Sequence, residues 1–121
     1  MATIELTQDN FEQTINENDI VLIDFWASWC GPCRSFAPIY EKVSEKYPDM
    51  VFSKINTEEE RGLATQFQIR SIPTLVIFRE KIIIFSQPGS LPETALEEVI
   101  SKALELDMDM VRAEVAKQEQ K

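Results

Sequence analysis

An apolar run near the start of the chain constrains the fold more than any other feature. Residues 20–27, IVLIDFWA, are apolar apart from Asp24 and rich in branched and aromatic side chains. A strand with one face in water alternates apolar and polar residues, whereas a continuous run is typical of a strand buried on both faces. Because both faces must then be covered, the run predicts an α/β fold in which helices lie on both sides of a central sheet.

The remaining segments supply the other layers of this sandwich. Strand patterns occur at TIEL and over 50–56, 72–78 and 82–86, and helix patterns over 7–15, 34–47, 59–69 and 91–106. The link REK between the last two strands is too short for a crossover, so these strands must be antiparallel and the sheet mixed. The order of elements therefore predicts one mixed sheet between two layers of helices.

Length and charge limit the functions open to the chain. With 121 residues, 44% of them apolar, it can form one domain with its own core. The net charge of −9 would repel phosphate and anionic lipid, so we expect neither nucleic-acid nor membrane binding. The first residues show no basic head before an apolar core, and no apolar run reaches the length of a membrane span. We expect a soluble protein of a reducing compartment, the cytoplasm.

The only two cysteines, Cys30 and Cys33, lie in SWCGPC directly after the apolar run. A structural zinc site needs four Cys or His ligands, and the chain has no histidine, so a metal site would have to be shared between two chains. A structural disulfide is the other alternative, but it would close a very small loop. A redox-active dithiol fits best, because a helix N-terminus lowers the pKa of a thiol. We predict that Cys30 is the exposed nucleophile and that Cys33 is the buried thiol that resolves a mixed disulfide.

Asp24 is the second unusual feature, since a carboxylate inside a strand buried on both faces is costly as a charge. One interpretation places it at a strand end in contact with solvent. The other makes it a buried acid with a raised pKa that accepts the proton of Cys33 when that thiol attacks. Lys54, on the strand over 50–56, is its predicted neighbour, although a lysine on an alternating strand is more often simply exposed.

The runs DFWASWCGPC and RSIPT together resemble the thioredoxin family over about residues 4–106. The resemblance implies a five-stranded sheet of order 1-3-2-4-5 and a cis peptide bond before Pro73. It implies the roles given above for Cys30, Cys33, Asp24 and Lys54. It also implies an apolar rim on which protein substrates dock, formed by Trp29, Gly31, Pro32, Ile72, Pro73 and Gly89. For Trp29 the alternative is an aromatic of the core.

The resemblance further implies that the protein is a monomer that reduces disulfides in other proteins. No cofactor or metal would be bound. A separate thioredoxin reductase, fed by NADPH, would recycle the oxidised form, because this chain has no glycine-rich nucleotide motif of its own. The rival hypothesis from another class is a binding module that uses the same rim without redox turnover.

Three departures from the family pattern stand out. The link REK lacks the usual glycine, so either Glu80 or Lys81 adopts a positive φ or the hairpin uses another turn type. Gln68 also replaces a usual glycine. We assign residues 1–106 to the redox domain. Residues 107–121 either extend the last helix as a frayed or flexible tail, or place Met108, Val111 and Val115 against the domain or a partner.

Overall fold

Strands and helices alternate along the chain in the computed structural model, which describes residues 2–119. The strands are β1 (Thr3–Glu5), β2 (Ile20–Trp26), β3 (Val51–Asn56), β4 (Thr74–Arg79) and β5 (Ile82–Pro88). The helices are α1 (Phe11–Glu17), α2 (Gly31–Ser44), α3 (Arg61–Gln66), α4 (Glu93–Glu105) and α5 (Met108–Glu119). The predicted order of elements is confirmed, with one further helix at the end.

The five strands form one mixed sheet of order β1-β3-β2-β4-β5, as predicted. Strand β2 pairs in parallel with β3 and antiparallel with β4, and β4 pairs antiparallel with β5. The predicted strand over 72–78 begins later than expected, at Thr74. Ile72 and Pro73 instead belong to the loop before it, where the peptide bond between them is cis, as predicted.

Alternate residues of β2 face two separate cores, which explains why its sequence is apolar throughout. Leu22 packs with Phe36 and Tyr40 of α2 and with Leu96 of α4. Its neighbour Ile23 belongs to the opposite cluster, which the following residues complete: Leu6, Ile15, Val21, Phe25, Ile55, Leu63, Val76 and Phe78. Fully burying one such side chain stabilises the fold by about 1.5–3 kcal/mol. Even-numbered residues of β2 therefore face α2 and α4, and Asp24 is one of them.

The turn between β4 and β5 shows the predicted backbone strain. Glu80 and Lys81 have φ values of 52° and 70°. Two successive residues with positive φ form the tight turn that matches the twist of a hairpin, at a cost of about 1 kcal/mol per non-glycine residue. The N–H of Glu80 donates to the carbonyl of Asp19 at 2.7 Å, which ties this turn to the start of β2. Gln68, the other non-glycine departure, has a φ of 55°.

The last helix is separate from α4, and does not continue it. The backbone at Leu106 is extended, and the carboxylate of Asp107 accepts hydrogen bonds from the N–H groups of Asp109 and Met110 at the start of α5. Of the hydrophobic residues considered for docking, Met108 is buried and Val111 and Val115 are partly buried. The latter two line a groove with Ile82, Ile83 and Ile84 of β5. Helix α5 therefore packs on the domain.

Candidate active site

The two cysteines lie where the chain passes from β2 into α2. Cys30 is the N-cap of α2, and the N–H of Cys33 donates to its Sγ at 3.1 Å. Proline is accommodated in the first turn of a helix because its missing N–H would have no partner there, and Pro32 occupies that turn. The two residues form a disulfide with a Cα–Cα distance of 5.2 Å. The helix N-terminus thus directs its positive partial charge at the sulfur of Cys30.

The predicted contrast in exposure between the two cysteines is wrong for this disulfide form. Cys30 is 4% exposed and Cys33 is 3% exposed. The Sγ of Cys30 is covered because it is bonded to Cys33 and lies 3.7 Å from the carbonyl oxygen of Ile72. Access comes from the neighbours on either side, since Trp29 is 66% exposed and Gly31 is exposed.

The residues predicted to form the rim differ in their exposure. Trp29, Gly31, Pro32 and Gly89 are exposed and Ile72 is partly buried. Pro73 is buried. The carbonyl of Pro73 accepts a hydrogen bond from the N–H of Gly89 at 2.7 Å, which connects the loop before β4 to the residue after β5. Gly89 has a φ of +104°, a conformation that other residues rarely adopt.

The structure buries Asp24 completely, in the interior of β2. Neither of its carboxyl oxygens has a hydrogen-bond partner among the described residues. Burial raises the pKa of Asp24 from 3.8 to about 7, and the charge of Lys54 opposes part of that rise. The interpretation of Asp24 as a solvated strand-end residue is therefore wrong, and this carboxyl can exchange a proton near neutral pH.

Lys54 lies beside Asp24 as the directly paired residue of β3. Within residues 2–119 the two side chains form no ion pair at 4.0 Å or less. The Lys54 ammonium instead lies 4.9 Å from the centre of the Trp26 ring. Lys54 and Cys33 share a small cleft, which is lined by Trp26, Ala27, Ser28, Cys33, Arg34, Ala37 and Lys54.

Two contacts of this site were missed by the sequence interpretation. The first is the position of Lys54 over Trp26, which the same-face spacing of residues 24 and 26 in β2 could have indicated. The second is Arg34, whose Nη1 donates to the carbonyl of Ser28 at 2.9 Å and so braces the loop before the disulfide. No sequence signal distinguishes this arginine from an ordinary exposed one.

Residues 2–119 contain no group of three or more His, Cys, Asp or Glu side chains that could hold a metal ion. No helix in this range is both long and apolar enough to span a bilayer.

This chain is similar in sequence to known proteins over most of its length. A family model described as thioredoxin matches residues 2–102. The chain is 57% identical over 118 residues to a putative thioredoxin 2 of Streptomyces coelicolor, covering 98% of this chain and 88% of that protein. It is 43% identical over 101 residues to thioredoxin 1 of Synechococcus elongatus, covering 82% and 94%. The Streptomyces alignment thus includes most of the segment after residue 106, which the family model does not reach.

Solved structures of similar proteins share the architecture. A mutant thioredoxin from Halobacterium salinarum superposes with a TM-score of 0.78 at 33% identity, covering 87% of this chain and 92% of that one. The thioredoxin of Plasmodium falciparum gives a TM-score of 0.76 at 34% identity, covering 83% and 97%.

Proposed function

This chain belongs to the thioredoxin family and is a thiol–disulfide oxidoreductase, and we propose that it works mainly as a reductant of disulfides in other proteins. The observation that carries the proposal is the Cys30–Cys33 disulfide at the N-terminus of α2, with Cys30 as the cap. A sulfur held against helix N–H groups is stabilised as a thiolate, which is the form that attacks a disulfide.

The proposed reaction has two exchange steps. The Cys30 thiolate attacks one sulfur of the substrate disulfide, which forms a mixed disulfide and releases the other substrate sulfur as a thiolate. The Cys33 thiol then loses its proton and attacks the Sγ of Cys30, which releases the second substrate thiolate and restores the intramolecular disulfide. Two electrons pass from the dithiol to the substrate. The 3.1 Å contact between the N–H of Cys33 and the Sγ of Cys30 supports this assignment, because it holds the two residues in register for the second step.

Asp24 is proposed as the acceptor of the Cys33 proton, and Lys54 as the charge that favours the ionised carboxylate. The support is that the Asp24 carboxyl is buried without a partner and has a pKa of about 7, so that it can be ionised and still take up a proton at neutral pH. Cys33 and Lys54 line the same cleft.

Substrate proteins are proposed to dock on the exposed rim formed by Trp29, Gly31, Pro32, Gly89 and the edge of Ile72. The 3.7 Å distance from the Cys30 Sγ to the Ile72 carbonyl supports this role, because an extended peptide bound along residues 71–73 would have its disulfide at the sulfur. Pro73 would position this backbone from below.

The wider setting of the reaction follows from the family. Thioredoxins need no bound cofactor. The electrons are proposed to come from NADPH through a separate thioredoxin reductase, in the cytoplasm, with the protein acting as a monomer. We propose residues 1–106 as the redox domain and residues 107–121 as an appended segment.

The decisive test is the reduction of insulin disulfides by dithiothreitol, followed by turbidity. Addition of the protein should accelerate precipitation, and Cys30→Ser should abolish the acceleration, because it removes the proposed nucleophile. Ser101→Ala removes an exposed hydroxyl of α4; it is the control and should keep full activity.

Cys33→Ser should trap substrates as mixed disulfides that dithiothreitol releases. Full activity of Cys30→Ser would contradict the mechanism. Partners retained equally by a Cys30→Ser/Cys33→Ser variant would favour a binding module.

A further inference from the structure

The position of Lys54 is unusual for a lysine beside a buried carboxyl. Its ammonium lies over the indole of Trp26, 4.9 Å from the ring centre, and forms no ion pair with Asp24. Asp24 and Trp26 are two residues apart on β2, so their side chains leave the same face of the sheet. Lys54 is paired with Asp24 across the strands. The indole thus holds the ammonium of Lys54, and Asp24 leaves the same face of the sheet two residues earlier in β2.

Other groups could compete for the Lys54 ammonium. A second cleft on the far side of Lys54 and Trp26 is lined by Thr3, Ile4, Glu5 and Glu41. Glu41 already accepts hydrogen bonds from the N–H of Ala2 at 3.0 Å and the hydroxyl of Thr3 at 2.6 Å. Without the indole, the flexible four-carbon stem of Lys54 could direct the ammonium toward these carboxylates and away from Asp24.

Within residues 2–119, one other cation lines the same cleft as Lys54, Arg34, and its Nη1 is already bound to the carbonyl of Ser28. From α2, Cys33 and Tyr40 approach its side of the sheet, and neither carries a positive charge. From β4, its paired residue is Leu75. The charge of Lys54 lowers the pKa of Asp24 and so favours the carboxylate. Its placement therefore matters for any proton transfer at this site.

We propose that Trp26 is a positioning residue of the redox reaction, whose indole face holds the Lys54 ammonium at the entrance to the buried Asp24 carboxyl. A cation over an indole is attracted by the ring's negative face, and tryptophan is the strongest side chain for this contact. Trp26 acts through Lys54 and touches neither sulfur in this role. The inference rests on the proposed function, because it assigns Trp26 to the step in which Asp24 accepts the Cys33 proton.

The idea is separable from a simpler role for Trp26 as an apolar cover. If the indole only excluded water, then Trp26→Leu would admit water, lower the pKa of Asp24, and do so equally with or without Lys54. If the indole positions the ammonium, its loss weakens the opposing charge. That effect raises the pKa of Asp24, and it exists only when Lys54 is present.

The experiment is a double-mutant cycle on the pKa of Asp24, measured by NMR of its labelled carboxyl carbon in the disulfide form, where no thiol titrates. The variants are Trp26→Leu, Lys54→Met and the pair. Trp26→Leu changes the pKa of Asp24 in both backgrounds. We expect this change to be more positive when Lys54 is present than when it is replaced by Met, by about half a pKa unit. Lys46→Met, which removes an exposed lysine just after α2 that pairs with Glu97, is the control and should leave the pKa of Asp24 unchanged.

Equal shifts in the two backgrounds would overturn the proposal. If Trp26→Leu does not fold, Trp26→Phe takes its place, and its weaker π face should give a smaller coupling of the same sign. Absence of any coupling with Trp26→Phe in a folded protein would likewise overturn it. The titration uses no substrate, so its outcome is distinct from that of the insulin assay, which tests the proposed function by itself.

Discussion

Asp24 on β2 and Arg79 on the neighbouring strand β4 are side chains of opposite charge type, and they differ in their hydrogen-bond partners. Asp24 lies toward the redox end of β2, with both carboxyl oxygens buried and unpartnered. Arg79 lies at the other end of β4, opposite the first residue of β2. Its Nη1 donates to the carbonyls of Ala103, Leu104 and Leu106 at 2.9, 3.3 and 3.0 Å, where α4 ends.

The difference shows how one sheet supports both stability and reactivity. The last carbonyls of a helix lack intrahelical partners and carry a negative partial charge, so a guanidinium placed among them stabilises the fold. A carboxylate without donors is destabilised in its charged form, and its proton becomes easy to exchange near neutral pH. The redox end of the sheet therefore carries an electrostatic cost, whereas at the opposite end fixed dipoles match the Nη1 of Arg79, although its Nε is buried without a partner among the described residues.

Removal of the Asp24 charge is the strongest test of this comparison. Because the pKa of Asp24 is about 7 in the fold and 3.8 as the ordinary value, the folded chain holds a proton that the unfolded chain loses between those pH values. Stability should therefore fall as the pH rises from 4 to 7, by about 4 kcal/mol at most. Asp24→Asn should lack this decline. Urea unfolding of the wild type and of Asp24→Asn, each in its disulfide form, at pH 4 and pH 8 measures this decline. An equal change in the free energy of unfolding with pH in both proteins would contradict the assignment.

The same variant also tests the kinetic role of the carboxyl. With Asp24→Asn, the second exchange step should slow at neutral pH, because the proton of Cys33 loses its acceptor. Rapid quench of the mixed disulfide measures this step directly. An unchanged rate from neutral to alkaline pH would remove Asp24 from the reaction.

Arg79→Met is expected to have the next largest effect. Hydrogen bonds to a charged group contribute about 1.5–3 kcal/mol, so the loss of the guanidinium should lower the free energy of unfolding by about 2 kcal/mol. The loss should be the same at pH 5 and pH 8, and insulin reduction should not change. Lys102→Met, an exposed cation in the last turn of α4, is the matched control and should have little effect. A loss confined to one pH would show that the comparison with Asp24 is wrong.

Arg112→Ala should have the smallest effect. Arg112 pairs with Glu80 of the β4–β5 turn and with Asp109 of its own helix, and all three side chains are substantially exposed. Exposed pairs contribute about 0.2–1 kcal/mol and weaken with salt. We therefore expect a loss below about 1 kcal/mol in urea unfolding that shrinks further in 1 M salt. A larger, salt-independent loss would indicate that α5 is an integral part of the domain and not an appended segment.

Much of the fold follows from local patterns in the sequence. The continuous apolar run of β2 predicts burial on both faces, and the short link REK determines the antiparallel pairing of β4 and β5. The positive φ of Glu80 and Lys81 follows from the same short link. Such features depend on near neighbours in the chain, so a single sequence is sufficient to predict them.

The parts that were missed depend on distant residues meeting. Arg79 reaches the end of α4, some 24 residues further on, and no local pattern specifies that contact. Lys54 was predicted as a neighbour of Asp24, but the position of its ammonium over the Trp26 ring depends on the register of β2 against β3. The low exposure of Cys30 depends on a carbonyl 42 residues away. The residue types at the site were predictable, whereas their mutual arrangement was not.

The placement of α5 has a consequence for how copies of this protein coexist at high concentration. Strand β5 ends the sheet, so its outer backbone could template a strand from another molecule. Consecutive residues Ile82, Ile83 and Ile84 all line the groove under α5, which places the helix along that border and not over one face. At the other terminus of β5, Pro88 has no N–H to offer. The helix thus covers the first part of this border, and the proline limits strand pairing with another molecule at its end.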